Sequence, residues 1–208
     1  MKPKSIILLS GGLDSTVSAT IAARKTRPVF ALTIDYGQRA AKMEIFASKR
    51  ICRVLKIKHR VIKLPFFKEF KKCELMGDNI KKFSKKFLTL KNIWVPNRNS
   101  LFINIAASFA DYYRADIIVT GFNREEAREF PDNTRDFINS INKTFQFSTL
   151  RKIKVVSYVA NYTKKEIYKL GLRYKAPLQY IYSCYLGSKK MCGRCPSCRK
   201  LIEAKKQY

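Results

Sequence analysis

The chain has 208 residues, 46% of them hydrophobic, and carries a formal net charge of +28 from 43 Lys and Arg against 15 Asp and Glu. That hydrophobic share excludes a disordered chain, the length suits one well-cored domain with at most a small appendage, and no run approaches the roughly 18 apolar residues of a membrane span. The charge suits phosphates, nucleic acid or an anionic membrane, but it is spread along the whole chain and forms no basic tail. Lysine-rich bias, or adaptation to heat or to an unusual ionic interior, is the bland alternative, and with the charge so spread nucleic-acid binding is not expected to be the main task. The first strand starts by residue five, so no signal peptide is expected, and a cytoplasmic enzyme is the natural class.

In chain order, Ser5-Ile6-Ile7-Leu8-Leu9 is a short apolar run of the kind a buried parallel strand carries. Ser10-Gly11-Gly12-Leu13-Asp14-Ser15-Thr16 follows it. Val17, Ile21 and the small Ala19, Ala22 and Ala23 then suit a helix that closes on Arg24-Lys25. Strand, glycine turn and helix in that order make an anion site: two glycines let the backbone approach a ligand, and the helix N-terminus offers free N–H groups. Ser10, Ser15 and Thr16 add hydroxyls, and Asp14 is placed to hold a magnesium ion bridging phosphate oxygens. Neither G-x-x-x-x-G-K-[ST] nor G-x-G-x-x-G is present, which excludes the two commonest phosphate loops; an ordinary glycine turn is the bland alternative.

Val29 to Ile34 reads as a second strand, ending at Asp35-Tyr36-Gly37-Gln38-Arg39, where open α/β sheets put their ligands. Glu44 to Leu55 has helical spacing, and Val61-Ile62 closes a third strand. Residues 65–92 are dense in Lys and Phe and read as a partly helical insertion over the ligand edge, either a basic face over a phenylalanine patch or a surface for single-stranded nucleic acid. Trp94 to Asn99 opens a helix with Phe102, Ile105, Ala106, Phe109 and Tyr112 on one stripe. Ile117-Ile118-Val119 is a strand ending at Thr120-Gly121, and the charged stretch from Phe122 to Asn133 reads as a loop. Phe137, Ile138, Ile141 and Phe145 mark another helix, and Ile153 to Val156 a last strand. Thr163-Lys164-Lys165-Glu166 is a capping box opening a short helix that stops at Gly171. Strands alternating with helices predict an α/β fold, a doubly wound parallel sheet, in one domain over 1–208.

Four of six cysteines crowd the end of the chain: Cys184, Cys192, Cys195 and Cys198, with Gly193 and Pro196 as turns. This C-x7-C-x2-C-x2-C spacing suits one tetrahedral ion, making 183–208 a small four-cysteine zinc motif; an iron–sulfur cluster is the rival. Cys52, Cys73 and the single His59 are assigned no chemistry.

S-G-G-L-D-S-T resembles the PP-loop of the ATP pyrophosphatases, which split ATP to AMP and pyrophosphate while adenylating a substrate on an adenine-nucleotide alpha-hydrolase-like fold. Together with Asp35-Tyr36-Gly37-Gln38, Val95-Pro96-x-Arg98-Asn99, Phe130-Pro131-Asp132, Ser183-Cys184-Tyr185 and Cys192-Gly193-x-Cys195-x-x-Cys198, it resembles the 7-cyano-7-deazaguanine synthase (QueC) family, in order and spacing from Ile6 to the last cysteine. The resemblance implies ATP on Leu9, Ser10, Gly11, Gly12, Leu13, Asp14, Ser15, Thr16, Asp35 and Gln38, and the acid 7-carboxy-7-deazaguanine near Arg98, Asn99, Glu126 and Asp132. It further implies a nitrile-forming ligase with Asp14, Ser10 and Arg98 catalytic, magnesium and structural zinc bound, ammonia consumed, no obligate nucleic acid, and a homodimer allowed. Asn97 stands where the family usually has Gly, and Asn133-Thr134 where it has Cys-Arg. Glu126 stands where it has Asp. Arg98 has a second reading as a surface residue meeting phosphate alone, and Asp132 one as a helix cap. Two other classes stay open: a PP-loop enzyme acting directly on tRNA, and a zinc-ribbon binding module that leaves the PP-loop unexplained.

Overall fold

The computed structural model describes residues 1–70, 73, 75, 76 and 93–206. Five strands form one parallel sheet: β1 (Lys4–Leu8), β2 (Arg27–Asp35), β3 (His59–Lys63), β4 (Ile117–Thr120) and β5 (Lys154–Ser157), in the order β3-β2-β1-β4-β5. Ile7 of β1 lies opposite Ala31 of β2 on one side and Val119 of β4 on the other. The chain thus winds outward from β1 in one direction, returns to its other side at β4, and leaves a switch point between β1 and β4. Ligands of open parallel sheets collect at the strand ends there.

Both faces are covered, and neighbouring residues on each strand show it. Ile6, Phe30, Leu32 and Ile118 enter one apolar cluster with the helices α3 (Arg98–Tyr112) and α5 (Arg135–Ser148). Ile7, Ala31 and Val119 enter the opposite one with α1 (Leu13–Lys25) and α2 (Ala41–Leu55). Fully burying an Ile or Phe is worth roughly 2 kcal/mol, so these central strands set the positions of the loops at their ends. A third cluster joins Val17 and Ile21 of α1 to Ile167 of α6 (Lys164–Arg173) and Leu201 of α7 (Pro196–Lys205). The expected doubly wound sheet is present.

Several local expectations change. The stretch 122–133 is not a loop: α4 (Arg124–Glu129) fills it, capped by Asn123 Oδ1 accepting from the N–H groups of Glu125 and Glu126, and a 3-10 turn follows at Pro131–Asn133. Because α4 buries no residue, it carries no apolar period to read. Helix α6 has the expected capping box but runs past Gly171 to Arg173. Gly171 is there for packing, since a Cβ would stand 2.9 Å from Leu178 Cδ2 and 3.1 Å from Val17 Cγ2. On α3 the fully buried face is Ile103, Ala106, Ala107 and Ala110, with Phe102, Ile105 and Phe109 flanking it; Tyr112, placed on the stripe, is exposed, because the small alanines let the helix sit close to the sheet. Helix α7, with Pro196 at its start, was not expected. Of residues 65–92, expected as an insertion, Pro65–Glu69 form a 3-10 turn that buries Phe67; most of the remainder, including Phe83 and Phe87, lies outside the described residues.

Candidate active site

A cavity of about 640 Å³ opens at the switch point, walled by the ends of β1, β2 and β4 and the starts of α1, α3 and α6. Its floor is the glycine turn. Gly11 has φ +78°, and a Cβ on it would lie 2.9 Å from Ala47 Cβ, so the tight turn against α2 requires glycine. Gly12 caps α1 with no side chain, which leaves the first-turn N–H groups without intrahelical partners where the cavity begins. The hydroxyls of Ser10 and Ser15 lie 3.1 Å apart, and that of Ser15 also donates to the Gly12 carbonyl. Gly121, at the end of β4, packs on this turn so closely that a Cβ would stand 2.7 Å from Ser15 N.

Leu9, Ser10, Gly12, Leu13, Asp14 and Ser15 face the cavity together with Gln38. Gly11, Thr16 and Asp35 do not. Thr16 is buried and donates to the Gly12 carbonyl at 2.6 Å; Asp35 turns back to accept from Gly37 N–H. Gln38 is a brace, accepting from Tyr36 N–H and donating to Glu44 at 2.8 Å.

The most consequential group escaped the sequence. Lys164, first residue of α6, is ion-paired with Asp14 and, at 2.7 Å, with Glu126. Burial pushes Asp14 up to about 6, against the pull of the Lys164 ammonium. Although burial works against the charge of Glu126, Lys164 and Asn123 hold it below the usual range; Asp14 and Glu126 in turn hold the Lys164 ammonium charged despite its burial. Asp14 Oδ1 remains buried with no partner, so this acidic pair has an oxygen to offer a cation. One sign of the lysine was available: a cation at a helix N-terminus opposes the dipole, which calls for a counter-charge from elsewhere.

Arg98 and Asp132 form the far wall. Arg98 Nη1 donates to Tyr36 Oη at 3.2 Å with its guanidinium over the Tyr36 ring, and against the cost of burial this contact and Asp132 hold it charged. Burial raises Asp132 and Arg98 opposes that rise. Asp132 accepts from Asn133 Nδ2 at 2.9 Å and does not cap α5; Thr134 does, accepting from Phe137 N–H. Thus Asn133 and Thr134, where the resemblance expects Cys and Arg, orient the carboxylate and start the helix. Asn97 has φ +54°, a left-handed conformation glycine reaches freely and Asn more readily than most residues, so the backbone tolerates that departure too.

The cysteines converge at the end of the chain. The sulfurs of Cys184, Cys192, Cys195 and Cys198 all lie within 4.8 Å of one another. Tetrahedral ligands at about 2.3 Å from a zinc stand about 3.8 Å apart, so the set fits one ion. Backbone N–H groups of Cys192, Cys195 and Cys198 donate to sulfurs of the set, as suits thiolates. Cys184 sits between Ser183 and Tyr185, which line the cavity, so the metal site and the cavity share one strand of backbone. Tyr182 N–H donates to the Gly11 carbonyl at 2.8 Å, tying the segment to the phosphate turn. Cys52 and Cys73 are buried and are not among the converging sulfurs; His59, assigned no chemistry, bonds Thr33 Oγ1 at 2.8 Å.

The chain matches the family described as "Queuosine biosynthesis protein QueC" over residues 4–208. It is 45% identical over 215 residues to the 7-cyano-7-deazaguanine synthase of Pelotomaculum thermopropionicum, covering 98% of this chain and 96% of that one. It is 44% identical over 210 residues to the synthase of Carboxydothermus hydrogenoformans, covering 97% and 98%. Among solved structures, the NMN synthetase of Francisella tularensis shares the fold with a TM-score of 0.54 at 16% identity, over 92% of this chain and 71% of that one.

Proposed function

Because the chain belongs to the QueC family, we propose that it makes 7-cyano-7-deazaguanine from 7-carboxy-7-deazaguanine, ammonia and ATP, as an AMP-forming ligase. The observation that carries this reading is the single cavity in which the glycine turn, the Lys164–Asp14–Glu126 group and the Arg98–Asp132 wall face one another. A carboxylate has no good leaving group. Attack of its oxygen on the α-phosphorus of ATP expels pyrophosphate and gives an acyl adenylate; ammonia then displaces AMP to give the amide. Adenylation of the amide oxygen by a second ATP, followed by loss of AMP and protons, leaves the nitrile.

In this scheme the first-turn N–H groups of α1 and the hydroxyls of Ser10 and Ser15 receive the pyrophosphate oxygens. Asp14, with its unpartnered Oδ1, and Glu126 are the residues that would hold magnesium, which neutralises the polyphosphate. Lys164 supplies the same face with a fixed positive charge. Arg98 matches a carboxylate bidentately, and Asp132 offers an acceptor to the amino edge of the base.

Zinc is the metal we assign to the four cysteines: thiolate sets without an open position hold it for structure. The protein acts in the cytoplasm on the free base; no helix among the described residues is long and apolar enough to cross a membrane. Mass spectrometry of the product from acid, ammonium and ATP tests the whole scheme. A nitrile with two AMP per turnover is expected; an amide alone would cut the second half, and an unconsumed acid would remove the assignment.

A further inference from the structure

Two aromatic rings in the cavity wall have no part in phosphate chemistry. Trp94 precedes α3 and Phe130 follows α4; their planes lie within 11° of parallel, with centroids 6.1 Å apart. Both line the cavity and both are only partly buried. Two pairs in the core, Phe30–Phe109 and Tyr36–Phe67, instead meet edge to face. Trp94 stands four residues before Arg98, and Phe130 two before Asp132, and all four line the same space. A flat apolar face is thereby bordered by a guanidinium and a carboxylate. A planar heterocycle bearing a carboxylate asks for that combination: its π-faces for stacking, its acidic substituent for a cation, its N–H edge for an acceptor.

We infer that Trp94 and Phe130 are the stacking face for the two-ring acid and so select a flat bicyclic substrate, an inference that rests on the substrate reading above. Arg98 and Asp132 then fix which way the ring points along that face. The chain has a single tryptophan, so its emission reports on this one wall. Titrating 7-carboxy-7-deazaguanine without ATP is expected to change Trp94 fluorescence along the same isotherm that calorimetry gives. Trp94→Leu should weaken binding of the acid by about tenfold or more, the order of one base–aromatic stack. Trp94→Phe should stay closer to the parent, and both should bind ATP as the parent does. Calorimetric binding of the acid with emission unchanged, or Trp94→Leu binding it as tightly as the parent, would overturn the inference and leave the substrate reading standing. Should Trp94→Leu lose ATP binding as well, the emission of the parent and the affinity of Trp94→Phe decide. A parent chain that neither binds nor consumes the acid would bring down the substrate reading and this inference with it.

Discussion

Lys164 answers two carboxylates at once, with side chains of Lys164 and Asp14 only 12% and 13% exposed. Removing the ammonium leaves the largely buried Asp14 beside Glu126 with no cation between them, and breaking a buried pair costs about 3 kcal/mol. Lys164→Met is therefore expected to abolish AMP formation and to lower stability by that order in a denaturant titration. Asp14→Asn keeps the contact of Lys164 with Glu126, so it should abolish AMP formation with the circular dichroism unchanged; near-normal turnover would remove Asp14 from the site. His59 offers a separate test. Thr33 Oγ1 donates to the Leu9 carbonyl at 2.7 Å, so it accepts from His59 Nε2–H and fixes that tautomer. Burial, then the neighbouring Lys49, lowers the His59 pKa. The unfolded chain, titrating near 6.5, takes up the proton more readily, so stability is present above about 6.5 and is lost as pH falls towards the folded value. An NMR titration of this sole histidine should show a midpoint below 6.5, and His59→Gln should lose less stability than the parent between pH 7 and 5.

Among elements, β4 and α1 meet at Gly121, where the contact is backbone on backbone. Gly121→Ala must push the phosphate turn aside, because Ser15 N and Cα cannot retract as a side-chain tip can. We expect nucleotide affinity to fall at least tenfold with about 1–3 kcal/mol of stability, the usual cost of overpacking; unchanged ATP binding by calorimetry would show the turn to be adaptable. The cysteine segment should behave as metal-dependent structure: elemental analysis is expected to find one zinc per chain, and chelation to raise hydrogen exchange over 183–206 before the sheet. Iron in freshly purified protein would reverse the choice of metal. The strands, α1 and the glycine turn were legible because their signals are local: apolar runs, a run of turn residues, a capping box. Helix α4 was not, since it buries nothing and is held by Asn123 and by the pairing of Glu126 with Lys164. Helix α7 hid behind cysteines already accounted for by a metal. The Lys164–Asp14 pair spans 150 residues, a separation over which no periodicity speaks.

At the scale of the molecule, five acids among the described residues, Asp14, Asp116, Glu126, Glu129 and Glu166, form ion pairs with Lys or Arg. With 43 Lys and Arg against 15 Asp and Glu in the sequence, cations far outnumber the acids that could pair with them. Any tRNA binding should rest on counterion release and fall about a thousandfold or more between 50 and 200 mM salt. Filter binding that stays tight and tRNA-selective at physiological salt would favour an enzyme acting on RNA. The bond from Tyr182 N–H to the Gly11 carbonyl has a consequence for how the protein comes into being. Its two partners lie far apart in sequence, so this brace can close only once the chain between them has folded back on itself. A chain that loses the segment carrying Tyr182 keeps every residue of the glycine motif and lacks this brace. An intact motif is thus not by itself an intact nucleotide site.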